Sequence, residues 1–402
     1  MKVNNEIHDN RGNTVQAGHI DSLHITSLAP LTTALNGLPP SAPSFAGRTA
    51  ELAELAKHNF VVVSGLGGIG KTELVLRFAE NNDFPGGRLL WNFHGYDDSK
   101  RTGASPALAS FVRALGITQV PQEEAETAVL YRSLVAAREP MLIVLDNVRS
   151  AAQIRPLVVA KHHVVVTSRH LLTGLDAHQL ELRVLPQHDA ERIAGDTEIA
   201  KLCGRLPLAL QIMSALRKTD PGHDWVGELR TVRLGLLRHD DLDVRAAFDL
   251  SYRALTIEQQ RFFRLVAMQR TGMITVVNAA ALAGVSIPEA RRHLRDLRTA
   301  HLLEENNRFH DLVQEFADEL RDRHDSLQAV IAAGDRFIDV QDYSSSAAGR
   351  YLGWLLISKL DEAGHVDHAA REEATRPYVH QVTKKYFLTL QKTFREMWAD
   401  ES

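Results

Sequence analysis

Between Phe45 and about Leu185, short apolar runs alternate with longer segments in which apolar residues recur every three or four positions. Phe60–Ser64, Arg88–Phe93, Met141–Asp146, His163–Thr167 and Leu180–Val184 read as strands buried on both faces. Thr72–Glu80 reads as a helix whose apolar side is Leu74, Val75, Phe78 and Ala79. Strands separated by helices predict an α/β fold, a parallel five-stranded sheet with helices on both faces. After Leu185 the strand signal stops. Residues 188–240 carry helical periodicity and predict a helical subdomain. Within 241–322, four helical patterns precede a short extended pair around Leu302–Phe309, and a further helix runs from Asp311. Helices with a small β wing predict a winged-helix domain.

The flanks read differently. Residues 1–28 are polar and carry scattered β-formers (Ile7, Val15, Ile20, Leu23, Ile25), and 29–44 is a linker marked by Pro30, Pro39, Pro40 and Pro43. Residues 323–402 read as a helical C-terminal region of unassigned role. Its Lys385–Trp398 stretch spaces Phe387, Leu390, Phe394 and Trp398 as one helix face, for which core packing is the simpler reading. No period of 20–50 residues recurs, so a repeat array is not supported.

Charge and composition narrow the function. Lys plus Arg number 46 against 50 Asp plus Glu, a net charge of −4, which argues against a strongly basic nucleic-acid coat. The single cysteine, Cys203, excludes a disulfide framework and a cysteine-based zinc site. The polar N-terminus lacks the apolar core of a secretory signal, and runs such as Val61–Val63 and Met141–Leu145 fall short of the roughly 20 residues that span a bilayer. The expected compartment is the cytoplasm.

The strongest chemical signal is Gly65-Leu66-Gly67-Gly68-Ile69-Gly70-Lys71-Thr72, a GxxxxGK[ST] match between a strand and a helix, which makes 45–187 the P-loop nucleotide-binding domain. The glycines let backbone N–H groups turn toward phosphates, and the helix N-terminus adds positive potential. Lys71 is placed to neutralise β- and γ-phosphates and the Thr72 hydroxyl to ligate Mg²⁺. Met141–Asp146 ends an apolar strand in a carboxylate at the sheet edge beside the loop, so Asp146 is the second Mg²⁺ group, through water. Asn147 stands where many P-loop ATPases carry a second acid. An amide accepts no proton, so at most a slow ATPase is expected. Arg169 follows the strand His163–Thr167 and can sense a γ-phosphate; Asp146 and Arg169 are the catalytic candidates.

The order of these motifs resembles the NB-ARC family of STAND signal-transduction ATPases, which includes apoptotic protease-activating ATPases and plant resistance receptors, and is most similar to bacterial members. Leu38-Pro39-Pro40 and Phe45-Ala46-Gly47-Arg48 look like the family's leading motif beside the adenine. Cys203–Leu210 is similar to its GLPLAL element, and Phe309-His310-Asp311-Leu312 to its Met-His-Asp motif. The resemblance covers 38 to about 322. It implies that Phe45, Gly47, Arg48, Gly65, Gly67, Gly68, Ile69, Gly70, Lys71, Thr72, Glu73, Pro207 and His310 contact ATP or ADP, with His310 on the β-phosphate of ADP. It further implies a switch, ADP-bound when off and ATP-bound and homo-oligomeric when on, signalling in defence or regulated cell death. Two departures stand out. Cys203 follows Pro186 by only 17 positions, which predicts a missing helix in the helical subdomain, and 323–402 is too short for a repeat-built sensor.

Gly12–Ile20 resembles prion-like amyloid-signalling motifs with a Val/Ile-Gln-x-Gly core, and Gln16 can stack along a cross-β ladder. That reading implies an effector protein with a matching segment; a disordered leader is the plain alternative. A second function also stays open, an ATP-dependent DNA-binding transcriptional regulator. Ser286–His301 carries Arg291, Arg292, Arg295 and Arg298 like a recognition helix, but Glu289, Asp296, Glu304 and Glu305 offset that charge and make DNA the weaker partner. A metabolic ATP-using enzyme finds no substrate-site constellation beyond the phosphate loop.

Overall fold

The computed structural model describes residues 35–340 apart from 98 and 271. The Gly12–Ile20 segment and the Lys385–Trp398 stretch lie outside the described residues. Strands β1 (Phe60–Gly65), β2 (Arg88–Asn92), β3 (Leu142–Asp146), β4 (His163–Ser168) and β5 (His178–Leu182) form one sheet in the order β2-β3-β4-β1-β5. Every pairing is parallel, with Val62 opposite Val166 and Ile143 opposite Val164. Helix α1 (Thr49–Lys57) precedes β1, and α2 (Lys71–Asn81), α3 (Ala104–Ala114) and α4 (Glu124–Ala136) lie between β1 and β3.

Successive strand residues point to opposite faces, and the core divides accordingly. Val62, Ile143, Leu145, Val164 and Val166 pack with Phe111 of α3 and Tyr131 of α4. Val61, Val63, Leu142, Val144 and Val165 pack with Leu74, Val75 and Phe78 of α2. The central strands β1, β3 and β4 are buried along nearly their whole length. Burial on both faces fails for β2 and β5, which are the sheet edges and stay partly exposed. Strand β5 also begins at His178 rather than at 180, because its parallel register with β1 sets Val61 against His178.

The chain continues through α5 (Gln187–Ala194), α6 (Thr197–Leu202), α7 (Pro207–Thr219) and α8 (Trp225–Leu236). Two short helices therefore fit into the interval that predicted a missing one. A small hairpin, β6 (Arg238–His239) and β7 (Leu242–Asp243), was not legible as strand. It leads to α9 (Val244–Arg253), α10 (Ile257–Val266), α11 (Val276–Ala283), α12 (Ile287–Thr299), α13 (Asp311–His324) and α14 (Leu327–Val340). Capping boxes at Thr256/Gln259 and Ser286/Glu289 start α10 and α12 by satisfying free N–H groups.

Helices α11 and α12 are joined by a tight turn at Gly284, as in a helix-turn-helix. The expected extended pair at 302–309 is instead a turn: Glu304 N–H donates to the Arg308 carbonyl and Asn307 N–H to the Glu304 carbonyl, both at 2.9 Å. No strand is found there among the described residues. The core on the α2 face of the sheet runs without a break into these helices through Leu206, Leu210, Phe248, Phe263, Phe316 and Phe337. No helix among the described residues is long and apolar enough to cross a membrane.

Candidate functional site

The C-terminal ends of β1, β3 and β4 bring Lys71, Thr72, Asp146 and Arg169 together. Lys71 Nζ donates to the carbonyls of Gly65 at 2.8 Å and Leu66 at 3.0 Å. Thr72 Oγ1 donates to Asp146 Oδ1 at 2.8 Å, and Thr167 Oγ1 donates to the same oxygen at 2.5 Å. Asn147 Nδ2 donates to Asp146 Oδ2 at 3.1 Å and to Asn92 Oδ1 at 3.2 Å. Both carboxylate oxygens are thus held, and the amide at 147 orients Asp146. The Thr72 hydroxyl and the Asp146 carboxylate are hard oxygen donors of the kind Mg²⁺ takes.

The charge is unbalanced toward the positive. Lys71 is buried, and desolvation with the nearby Arg169 charge lowers its pKa from 10.5 to about 7, against a smaller opposing effect of Asp146. Burial also pulls Arg169 down. Its Nη1 donates to the Ala247 carbonyl of α9, its Nε has no partner, and its guanidinium lies 5.5 Å from the Tyr96 ring centre. The Tyr96 hydroxyl donates to the Val148 carbonyl at 3.1 Å and accepts the Arg169 N–H at 2.9 Å, fixing the backbone at the end of β4. Two buried basic side chains therefore face one carboxylate at the N-terminus of α2, an arrangement whose charged form an added anion favours.

The helical region closes on this loop. Leu208 N–H donates to the Gly68 carbonyl at 3.1 Å, and Pro207 lies beside Gly70. A Cβ on Gly67 would lie 2.6 Å from the Ala247 carbonyl oxygen, so only glycine lets α9 approach this closely. On the other side, Ala42 N–H donates to Glu73 at 2.7 Å and Ser41 N–H to Glu80 at 2.6 Å, which ties the leading segment to α2. The Arg77 guanidinium lies 5.1 Å from the Phe45 ring centre. Arg48 Nη2 donates to the Ile69 carbonyl at 3.2 Å, and Gly47 packs against buried Asp189. Phe45, Arg48, Ile69, Gly70, Glu73 and Pro207 thus line one narrow crevice of about 50 Å³ beside the loop, well below the roughly 300 Å³ of a typical ligand pocket.

His310 is the N-cap of α13. Its Nδ1 accepts the Leu312 N–H at 3.2 Å, which leaves Nε2 to donate to the Gly204 carbonyl at 2.9 Å. Burial pushes its pKa down, consistent with this neutral tautomer. Gly204 has φ +58°, and a Cβ there would lie 2.4 Å from the His310 ring. Both ring nitrogens are therefore engaged with protein backbone rather than with Gly67–Gly70. With Leu66, Ile69 and Arg205, His310 lines a cavity of about 460 Å³ between β5 and the turn at 302–306. Sequence reasoning missed Tyr96 and Ala247, and it took in Gly204 only as part of the GLPLAL-like element Cys203–Leu210, without its contact to His310. The Gly204 and Ala247 contacts are made by backbone carbonyls and leave no side-chain signature.

No protein-family model matches the chain. It is 34% identical over 355 residues to the regulatory protein AfsR of Streptomyces griseus, covering 78% of this chain and 36% of that protein. It is 33% identical over 367 residues to the regulatory protein AfsR of Streptomyces coelicolor, again over 78% of this chain and 36% of that one. The chain therefore spans 36% of the length of these curated relatives. Among solved structures, a Walker-type ATPase of Pyrococcus abyssi superposes with a TM-score of 0.50 at 12% identity, over 70% of this chain and 99% of that one. Together with the phosphate loop on β1 and α2, that likeness gives the fold of this chain as that of the P-loop ATPases.

Proposed function

We propose that the chain is a nucleotide-dependent switch of the STAND kind, closed with ADP and opened by ATP and Mg²⁺ into an oligomeric signalling form. One observation carries the reading: Arg169, at the end of β4, donates to the backbone of α9 over the phosphate loop. A γ-phosphate is a charged acceptor and outcompetes a neutral carbonyl for a guanidinium. ATP would draw Arg169 off Ala247 and loosen the α9 contact, whereas ADP leaves it in place. The motif order from Phe45 to His310 supports the same reading. Asn147 in place of an acid supports slow hydrolysis that resets the switch.

Hydrogen exchange of α9 in the full chain tests this. Exchange around Ala247 should rise when a non-hydrolysable ATP analogue replaces ADP, and Arg169→Ala should give the raised level with either nucleotide. Equal protection with both nucleotides bound would reject the switch. Lys71→Ala should remove most nucleotide binding.

A second reading, a regulator that binds duplex DNA, is supported by two observations. Arg291, Arg292 and Arg295 are exposed on α12, which follows the Gly284 turn, and the curated relatives are regulatory proteins. DNA binding that weakens steeply with salt and is lost in Arg291→Ala/Arg295→Ala would favour it.

A further inference from the structure

We propose that Glu54, His58 and His178 form a site for a divalent transition-metal ion of the zinc type, which pins α1 to the edge strand β5. Glu54 lies in the second turn of α1 and His58 is the C-cap that ends the helix, with its imidazole turned back to the Glu54 carboxylate. His178 opens β5. His58 Nε2 and His178 Nε2 lie 3.2 and 3.3 Å from the same oxygen, Glu54 Oε1, and the three donor atoms fall within 4.8 Å of one another. The other oxygen, Glu54 Oε2, accepts from Lys57 Nζ at 2.8 Å, which turns Oε1 toward the imidazoles.

Two imidazoles and a carboxylate make the donor set of zinc-like ions rather than of Mg²⁺ or Ca²⁺, which prefer oxygen throughout. The site is thereby distinct in kind from the Thr72 and Asp146 pair at the phosphate loop. Metal bonds of about 2.0–2.2 Å require the three atoms to draw inward from their hydrogen-bonding distances. The imidazoles are stacked, with ring centres 3.9 Å apart and planes 7° from parallel, so the stack must splay for both lone pairs to aim at one ion. Room for that motion exists, since the His58, His178 and Glu54 side chains are 40%, 31% and 29% exposed. To offer its Nε2 lone pair to the ion, each imidazole must be neutral and carry its proton on Nδ1. A three-ligand site leaves the fourth tetrahedral position to water.

The test is calorimetric titration of Zn²⁺ into the full chain without nucleotide, followed by thermal unfolding with and without Zn²⁺. One zinc equivalent is expected to depend on this cluster. His58→Ala, His178→Ala and Glu54→Gln should each weaken it at least tenfold, and His58→Ala/His178→Ala should remove it. Its loss should also abolish the zinc-dependent rise in Tm, whereas Mg²⁺ produces no such rise in the wild type. The sequence holds 19 histidines, so the comparison with the double variant decides. Zinc binding of equal stoichiometry and affinity in wild type and double variant would overturn the proposal, as would a wild type that binds no zinc at submillimolar concentration.

Discussion

Nucleotide binding should draw a proton from solvent, because Lys71 is partly deprotonated before the phosphates arrive. Burial and Arg169 bring its pKa to about 7, so at pH 8 only about one Lys71 in ten carries its proton. A bound polyphosphate supplies the missing counter-charge and restores the ammonium, which requires uptake of about 0.9 proton per nucleotide at pH 8. Between pH 7 and 9 the protonated fraction falls about 50-fold, so affinity should fall by about the same factor, or ~2.3 kcal/mol. Calorimetry at pH 8 in two buffers of different ionisation enthalpy measures the uptake, at a pH where the nucleotide's own phosphates are already ionised. Lys71→Arg keeps its charge and should show almost none. Uptake below about 0.2 proton in the wild type, or equal uptake in Lys71→Arg, would refute the reasoning. The same group affects folding without nucleotide. Its folded value lies below its unfolded value, so the unfolded chain binds more protons between about pH 7 and 10.5, and stability should rise with pH across that window.

The remaining predictions concern the closed arrangement. His310→Ala removes both the α13 cap and the bond to Gly204 and should cost about 1–3 kcal/mol by urea unfolding at pH 7.5. The lowered pKa of His310 makes its contribution present above the ordinary histidine value and lost as the pH falls below it, so the gap between wild type and His310→Ala should narrow toward pH 5. Gly67→Ala forces a methyl group against the Ala247 carbonyl and should weaken the closed form by about 1–3 kcal/mol, read as faster protease cleavage near α9. Asn147→Asp places a carboxylate beside Asp146 and should raise ATP turnover; unchanged turnover would put the hydrolytic base elsewhere.

The sheet was legible because parallel strands buried between helices leave continuous apolar runs, as in Met141–Leu145 and Val164–Val166. Strand β5 was harder to place because an edge strand carries a mixed pattern, and its start at His178 depends on pairing with β1. The β6–β7 hairpin is two residues per strand, too short to show any periodicity. The turn at 302–309 carries residues that suit an extended pair, yet its backbone bonds fold it back on Glu304. At the site, Lys71, Thr72 and Asp146 announce themselves by residue type and spacing. The partner that closes the loop does not, because Ala247 acts through a carbonyl oxygen that any residue possesses. His310 was legible as a residue of interest, but its partner here is the Gly204 carbonyl.

The two halves of the core also differ in when a growing chain can complete them. The apolar layer against α3 and α4 draws its fully buried members from Val62 to Leu172, so that layer can close before the helical region has been synthesised. The layer against α2 includes Leu206, Phe248, Phe316 and Phe337, so the apolar surface on the α2 side is completed only when nearly all described residues are made. Vectorial synthesis therefore completes one side before the other, and a chain truncated near residue 187 would leave Leu66 and Ile69 of the phosphate loop without the later residues Arg205, Leu302 and Leu303 that lie beside them. Such a fragment is expected to self-associate through that face even though its phosphate loop is intact.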